Sequence, residues 1–255
     1  MASPQAALQS SRSAQSLDCQ QEVGDESGDS IRVYVRVRPP TEREQAVASQ
    51  PTIAIDQGTS SLLLRGGEQP RNFTFDGVLG EDSTQEEAFD LVGRSVVASC
   101  LAGYNGSVYV YGQTGVGKTY TMSGPVTSVQ SMQFDERRGL ISRTLDCVFS
   151  EIHRRRAQTN AISYVCRCSF LEIYKEQITD LFEPSNSGLQ IREDLNRGVY
   201  VERLSEPTVC SLAEAFQVLW RGLQQRHVGA TQMNERSSRS HAVFTISLEA
   251  AQTRA

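Results

Sequence analysis

The residues Gly112-Gln113-Thr114-Gly115-Val116-Gly117-Lys118-Thr119 match the spacing G-x-x-x-x-G-K-[ST], a pattern that carries chemistry only between a strand and a helix. Ser107-Val108-Tyr109-Val110-Tyr111, just before it, is aromatic and β-branched and predicts a buried strand. Residues 118–122 predict the opening of a helix. Gly112, Gly115 and Gly117 allow positive φ or close approach of main chain to a ligand. Successive N–H groups then form an anion nest at the start of the helix. On that reading Lys118 lies against the β- and γ-phosphates and the Thr119 hydroxyl holds Mg²⁺. The bland alternative is a glycine-rich surface turn; the preceding strand and the Lys-Thr pair argue for a nucleotide site.

Working outward toward the N-terminus, residues 83–86, Ser83-Thr84-Gln85-Glu86, predict a capping box. It opens a helix with Phe89, Val92, Val96 and Cys100 inward, stopped at Gly103. Residues 53–55, 61–65 and 72–75 predict a small meander. Residues 31–40 alternate strictly, with Ile31, Val33, Val35 and Val37 on one face and Arg32, Tyr34, Arg36 and Arg38 on the other, and end at Pro39-Pro40. Those arginines read either as a solvated face or as guanidinium planes presented to a base or phosphate. Helix, strand, loop, helix is the order of an α/β nucleotide-binding domain with a central mixed β-sheet flanked by helices.

On the C-terminal side, residues 123–139 predict an exposed polar loop. Residues 140–153 have helical spacing and run into Arg154-Arg155-Arg156, which reads as a solvated helix end. Residues 162–174 alternate as a long strand that puts Cys166 and Cys168 on one face, and 175–182 shift toward a helical turn. Residues 189–192 and 198–201 are further short strands, with Arg192, Arg197 and Arg203 a solvated face beside them. Ser211-Leu212-Ala213-Glu214 is a second capping box, opening a helix with Ala215, Phe216, Leu219 and Leu223 inward.

Composition narrows the class. Residues 1–29 hold almost no large apolar side chains and predict a disordered leader, leaving 30–255 as the folded part. A net charge of -5 argues against nucleic acid or an anionic membrane surface as partner. Six cysteines without C-x-x-C or a His pair at metal spacing point to free thiols in a reducing compartment. No apolar run is long enough to span a bilayer, and no signal-peptide core is present. A cytosolic or nuclear protein is expected.

One more segment carries chemistry. Asn234-Glu235-Arg236-Ser237-Ser238-Arg239-Ser240-His241 precedes a strand at 242–248. Alone it is a polar loop; beside a phosphate–Mg²⁺ centre its hydroxyls and guanidiniums acquire a role toward a γ-phosphate.

At four separated places the chain resembles the kinesin motor domain family. Arg36-Val37-Arg38-Pro39 is similar to the family's R-x-R-P adenine-binding strand. Tyr104-Asn105-Gly106, followed by 111–122, is similar to its P-loop. Phe170-Leu171-Glu172-Ile173-Tyr174-Lys175-Glu176-Gln177-Ile178-Thr179-Asp180-Leu181 resembles its S-x-L-E-I-Y-N-E-x-I-x-D-L segment, and 234–241 matches its switch I, N-x-x-S-S-R-S-H. Among kinesins the kinesin-12 spindle class looks nearest. The resemblance implies an ATP-dependent, microtubule-stimulated ATPase of the cytoplasm and cytoskeleton, with tubulin as partner. It implies that Arg36, Arg38 and Pro39 serve the adenine with Tyr120 on its other side. Gly112, Gln113, Thr114, Gly115, Val116, Gly117 and Lys118 would hold the phosphates of ATP or ADP. Thr119 and Ser238 would coordinate Mg²⁺, Ser237 would close over the γ-phosphate, and Arg239 would form a salt bridge when the switch loops close.

Two departures accompany the resemblance. Val116 stands where a small or hydroxyl residue is common; an outward side chain there is expected to be tolerated. No D-x-x-G-x-E, the family's switch II, follows before Ala255. The expectation is therefore a motor domain represented through switch I. Its sheet would lack a strand beside the P-loop and expose an edge, and oligomerisation would rest on regions beyond the chain. Such a chain is not a complete motor; the alternative is a motor-like nucleotide-binding or regulatory product without motor activity.

Overall fold

The structure, a computed structural model, describes residues 31–47, 52–65, 69–158, 162–195, 198–232 and 239–252. The predicted leader lies outside them. Strand β1 (Tyr34–Arg36) is far shorter than its alternating pattern suggested and leads into helix α1 (Glu42–Val47), which the sequence reading missed. Ile31 is 91% exposed, because an apolar alternation is buried only where something packs on that face. Thr41 starts α1: its hydroxyl accepts from the Glu44 N–H, while the Glu44 carboxylate accepts from the Thr41 N–H.

The predicted meander forms as β2 (Ile53–Asp56), β3 (Ser61–Leu64) and β4 (Arg71–Thr74), antiparallel throughout. Strand β5 (Gly77–Leu79) then pairs in parallel with β1. The next helix comes in two pieces, α2 (Gln85–Ala88) and α3 (Arg94–Leu101), joined by a π-helical turn at Phe89–Gly93. Its capping box sits one residue later than predicted, between Thr84 and Glu87. The wider turn inserts a residue into the helical repeat. Val97 is therefore buried with Phe89, and Val96 only half-buried. Gly93 is required there because a Cβ would run into the Phe89 ring.

The largest correction concerns 107–111. Val108 and Val110 do turn partly inward and Tyr109 and Tyr111 outward, as an alternating strand would, and Val108 packs on the cluster of Phe89, Val97, Leu140 and Cys147. Yet the stretch joins no ladder: among the described residues no strand lies alongside to pair its N–H and C=O groups. A β-branched run becomes a strand only when a neighbour supplies the hydrogen bonds.

Helix α4 (Lys118–Met122) opens as predicted. Residues 123–139 are more than an exposed loop. They contain α5 (Val129–Phe134), capped by Ser128 and Ser131, and its Met132 is completely buried. The excursion closes at its base: Gly139 N–H donates to the Ser123 carbonyl at 3.1 Å. A Cβ on Gly124, whose φ is +75°, would collide with main chain at 137–139, and one on Gly139 with main chain at 122–123. Helix α6 (Leu140–Gln158) takes in the triple arginine. Arg154 and Arg155 both bind Glu151 at 2.7 Å, and Arg155 and Arg156 donate to the Leu101 and Tyr164 carbonyls. The triplet is thus a clasp between helix, α3 and sheet, more than a solvated end.

Strand β6 (Ile162–Tyr174) has the predicted bounds and organises the main sheet. It turns through Lys175 and Glu176, both at positive φ (50° and 60°), into β7 (Gln177–Asp180), which replaces the predicted helical turn. There follow β8 (Ser187–Leu189), then the hairpin of β9 (Ile191–Asp194) and β10 (Gly198–Val201), β11 (Thr208–Val209), α7 (Leu212–Gln232) and β12 (His241–Gln252). Arg192 pairs with Glu202 beside that hairpin, and Arg197 lies outside the described residues. Strands β7 and β11 share one edge of β6; β12 covers the other for its whole length, His241 opposite Ile173 through Gln252 opposite Ile162. Among the described residues β12 has no strand on its far side. Cys166, Cys168 and Phe170 from β6 face α5, α6 and α7 and pack with Met132, Leu145, Phe216 and Leu219. Each such side chain stabilises by about 1.5–3 kcal/mol when fully buried. The hydrogen bond between the two thiols, together with burial, pushes the Cys168 thiol up, and burial at 3% and 0% exposure makes Cys166 and Cys168 core residues.

Candidate nucleotide site

The glycine-rich loop has the backbone that its sequence requires. Gly115 and Gly117 stand at φ of +86° and +97°, with open space where a Cβ would be, so conformation and not crowding demands glycine there. Gly112, at φ of +154°, is crowded as well: the Val116 side chain folds back over it and would lie 2.6 Å from an added Cβ. Val116 therefore packs within the loop, where an outward side chain was expected. The Lys118 ammonium donates to the carbonyls of Gly112 at 2.7 Å and Gln113 at 2.8 Å, which draws the lysine across the mouth of the loop. Gln113, Thr114 and Thr119 are exposed.

Strand β1 and the residues just after it supply two arginines with different tasks. Arg38 braces the loop from outside: its Nε donates to the Gly115 carbonyl at 3.0 Å, while its Nη atoms grip the Glu44 carboxylate bidentately at 2.7 Å. Arg38 and Thr41 hold the Glu44 carboxyl down to about 2. Pro39 is exposed and its carbonyl accepts from Arg38. Arg36 reaches the nucleotide helix. Its guanidinium lies 5.5 Å from the Tyr120 ring centroid and donates to Gln85 Oε1 at 2.6 Å, the Ser83 carbonyl at 3.0 Å and Thr121 Oγ1 at 3.2 Å. Burial pushes this guanidinium down from its ordinary value, opposed by Tyr120 and Glu87. The structure thus brings Arg36 and Tyr120 together, and Arg38 onto the loop.

The second motif is only partly visible. Asn234 to Ser238, including Ser237 and Ser238, lie outside the described residues, so the Mg²⁺ pair Thr119 and Ser238 is seen from one side. Arg239 is exposed at the approach to β12. The next residue, Ser240, donates from Oγ to Glu172 Oε1 at 2.7 Å. Glu172, 2% exposed on β6, also has Arg226 of α7 3.6 Å from the same oxygen. Sequence reasoning gave neither Gln85, read as part of a helix start, nor Glu172, read as part of the L-E-I-Y segment, a place at the site, since their partners lie far away in sequence. Among the described residues no group of three or more His, Cys, Asp or Glu side chains is arranged to hold a metal. A magnesium ion held by hydroxyls and phosphate oxygens needs none, and the open loop, its lysine and the exposed Thr119 fit a bound nucleotide.

Comparison with known proteins completes this picture. A family described as the kinesin motor domain matches residues 36–255. Kinesin-like protein KIF15 of Homo sapiens is 46% identical over 225 residues, covering 87% of this chain and 16% of that protein. Kinesin-like protein KIN-12B of Arabidopsis thaliana is 44% identical over 226 residues, covering 88% of this chain and 17% of its own. The solved structure of a fast kinesin superposes with a TM-score of 0.80 at 38% identity, over 88% of this chain and 60% of that one. The chain thus spans about a sixth of the length of these relatives. With the loop, its bracing arginine and the long β6–β12 ladder in place, the chain belongs to the kinesin motor domain family and is homologous to its KIF15 and KIN-12 members.

Proposed function

We propose that this chain is the nucleotide-binding portion of an ATP-dependent microtubule motor. The observation that carries the reading is the loop itself: three glycines at positive φ, Lys118 across the mouth and Arg36 over Tyr120 at one end. Bound MgATP supplies the γ-phosphoryl group whose transfer to water drives such a motor. The chain's own residues then divide the work. Loop amides and Lys118 bind the phosphates; Arg36, Pro39 and Tyr120 receive the base, with Arg38 bracing the loop beneath it. Thr119 and Ser238 hold Mg²⁺, Ser237 closes over the γ-phosphate and orients water, and Arg239 locks the closed switch. Microtubules are the partner, and the cytoskeleton, including the spindle, is the site of action. A second reading, nucleotide binding without motor work, is favoured by the unpaired 107–111 stretch and its exposed Tyr109 and Tyr111.

The test is ATP turnover by the 255-residue chain with and without microtubules, beside Lys118→Ala. Stimulated turnover that disappears in Lys118→Ala supports the motor reading. ATP binding without stimulated turnover supports the second reading. Turnover indifferent to Lys118 overturns both.

A further inference from the structure

Gln85 is 3% exposed at the first position of α2, and every polar atom of its carboxamide is used. Oε1 accepts from Arg36 Nη1 at 2.6 Å; Nε2 donates to the Tyr120 carbonyl at 2.6 Å and the Arg137 carbonyl at 3.0 Å. The orientation of the amide is forced, since a guanidinium only donates and a carbonyl only accepts. One side chain therefore ties together β1, the nucleotide helix and the returning arm of the 123–139 excursion. Arg36 and Tyr120, the two groups assigned to the base, each depend on it for position.

We propose that Gln85 is a positioning residue for purine binding, fixing the Arg36 guanidinium on the face of the Tyr120 ring, 5.5 Å from its centroid, so that the pair is held as one unit beside the base. The inference rests on the nucleotide reading of the site. It sets Gln85 apart from the phosphate side, where its hydrogen bonds do not reach. Methionine in its place keeps the volume and removes all three bonds.

Two probes separate the base side from the phosphate side: ADP and inorganic tripolyphosphate, titrated against the full chain. Gln85→Met is expected to weaken ADP about tenfold, the effect of one or two hydrogen bonds, and to leave tripolyphosphate unchanged. Equal losses for both probes, or no loss for ADP, overturn the proposal. Arg36→Met, which leaves Gln85 in place, keeps it testable if Gln85→Met is poorly folded: it is expected to weaken ADP and keep tripolyphosphate, and in the double variant a residue acting through Arg36 adds nothing to that loss. Additive losses would sink the idea. A wild-type chain that binds neither probe overturns the nucleotide reading itself, a result distinct from selective failure of Gln85.

Discussion

Two stretches with the same kind of sequence pattern meet different fates in this molecule. Residues 162–174 and 107–111 are both rich in β-branched and aromatic residues and both read as strands. The first is held along its whole length by β12, with β7 and β11 on its other edge, and buries Cys168 and Phe170 under three helices. The second has Val108 on a hydrophobic cluster and its outward tyrosines in solvent, 77% and 86% exposed, with no ladder on either side among the described residues. Face choice is a local property, set by which side chains are apolar. Strand formation is a property of the neighbourhood.

Hydrogen exchange is the most direct way to break this comparison, and carries the largest expected effect. Amides of β6 between Cys166 and Glu172 should open only with global unfolding, while those of Val108 to Tyr111 should exchange at close to unprotected rates. Protection at 108–111 equal to that of β6 would show that the stretch is paired in solution. Next in size is a pair of substitutions read by urea denaturation. Phe170→Ala removes a ring packed edge-on against Phe182 and Phe244 and should destabilise by about 3–5 kcal/mol. Tyr109→Ala should stay within about 0.5 kcal/mol, and a loss there as large as at Phe170 would mean the tyrosine is covered.

The smallest effect sharpens the picture of how the loop half is held. The Arg38–Glu44 clamp beside Gly115 is exposed, and the Glu44 carboxyl is held down to about 2 by Arg38 and Thr41 from an ordinary value of 4.5. A depressed carboxyl contributes fully above its unfolded value and loses that contribution as pH falls through the folded one. The clamp should therefore persist down to pH 4.5 and release toward pH 2. Titration of the Glu44 carboxyl carbon by NMR checks this; a midpoint near 4.5 would mean that the clamp is open.

Much of the architecture could be read from residues alone, for identifiable reasons. The bounds of β6 followed from its alternating pattern, and α7 from Ser211 with Ala215, Phe216 and Leu219 at helical spacing. The loop was legible because G-x-x-x-x-G-K-[ST] fixes both backbone and side chains. The turn at Lys175-Glu176 was not, since neither residue belongs to the set that favours positive φ. The one-residue shift behind Val97 was hidden because a π-helical turn leaves no composition signal. Helix α5 hid because its cap is Ser128 with Ser131, where a glutamate or glutamine is the usual cue. At the site, Arg36 and Tyr120 were expected on opposite sides of a base, and the direct contact between guanidinium and ring was not foreseen. Gln85, which holds them, was counted only as part of a helix start.

The pinched stem between Gly124 and Gly139 has a consequence for how such a chain can change over generations. Leaving α4 and entering α6 at nearly the same point, the excursion has already met the entropy of closing a ring, and each doubling of its length adds only about 0.6 kcal/mol. Growth at its exposed end, around Phe134, which is 71% exposed, leaves both helices where they are. Met132 in the core and the Arg137 carbonyl on Gln85 mark the boundary of that freedom. Between those anchors the nucleotide helix carries a port where new recognition surface can be grafted without disturbing the chemistry it serves.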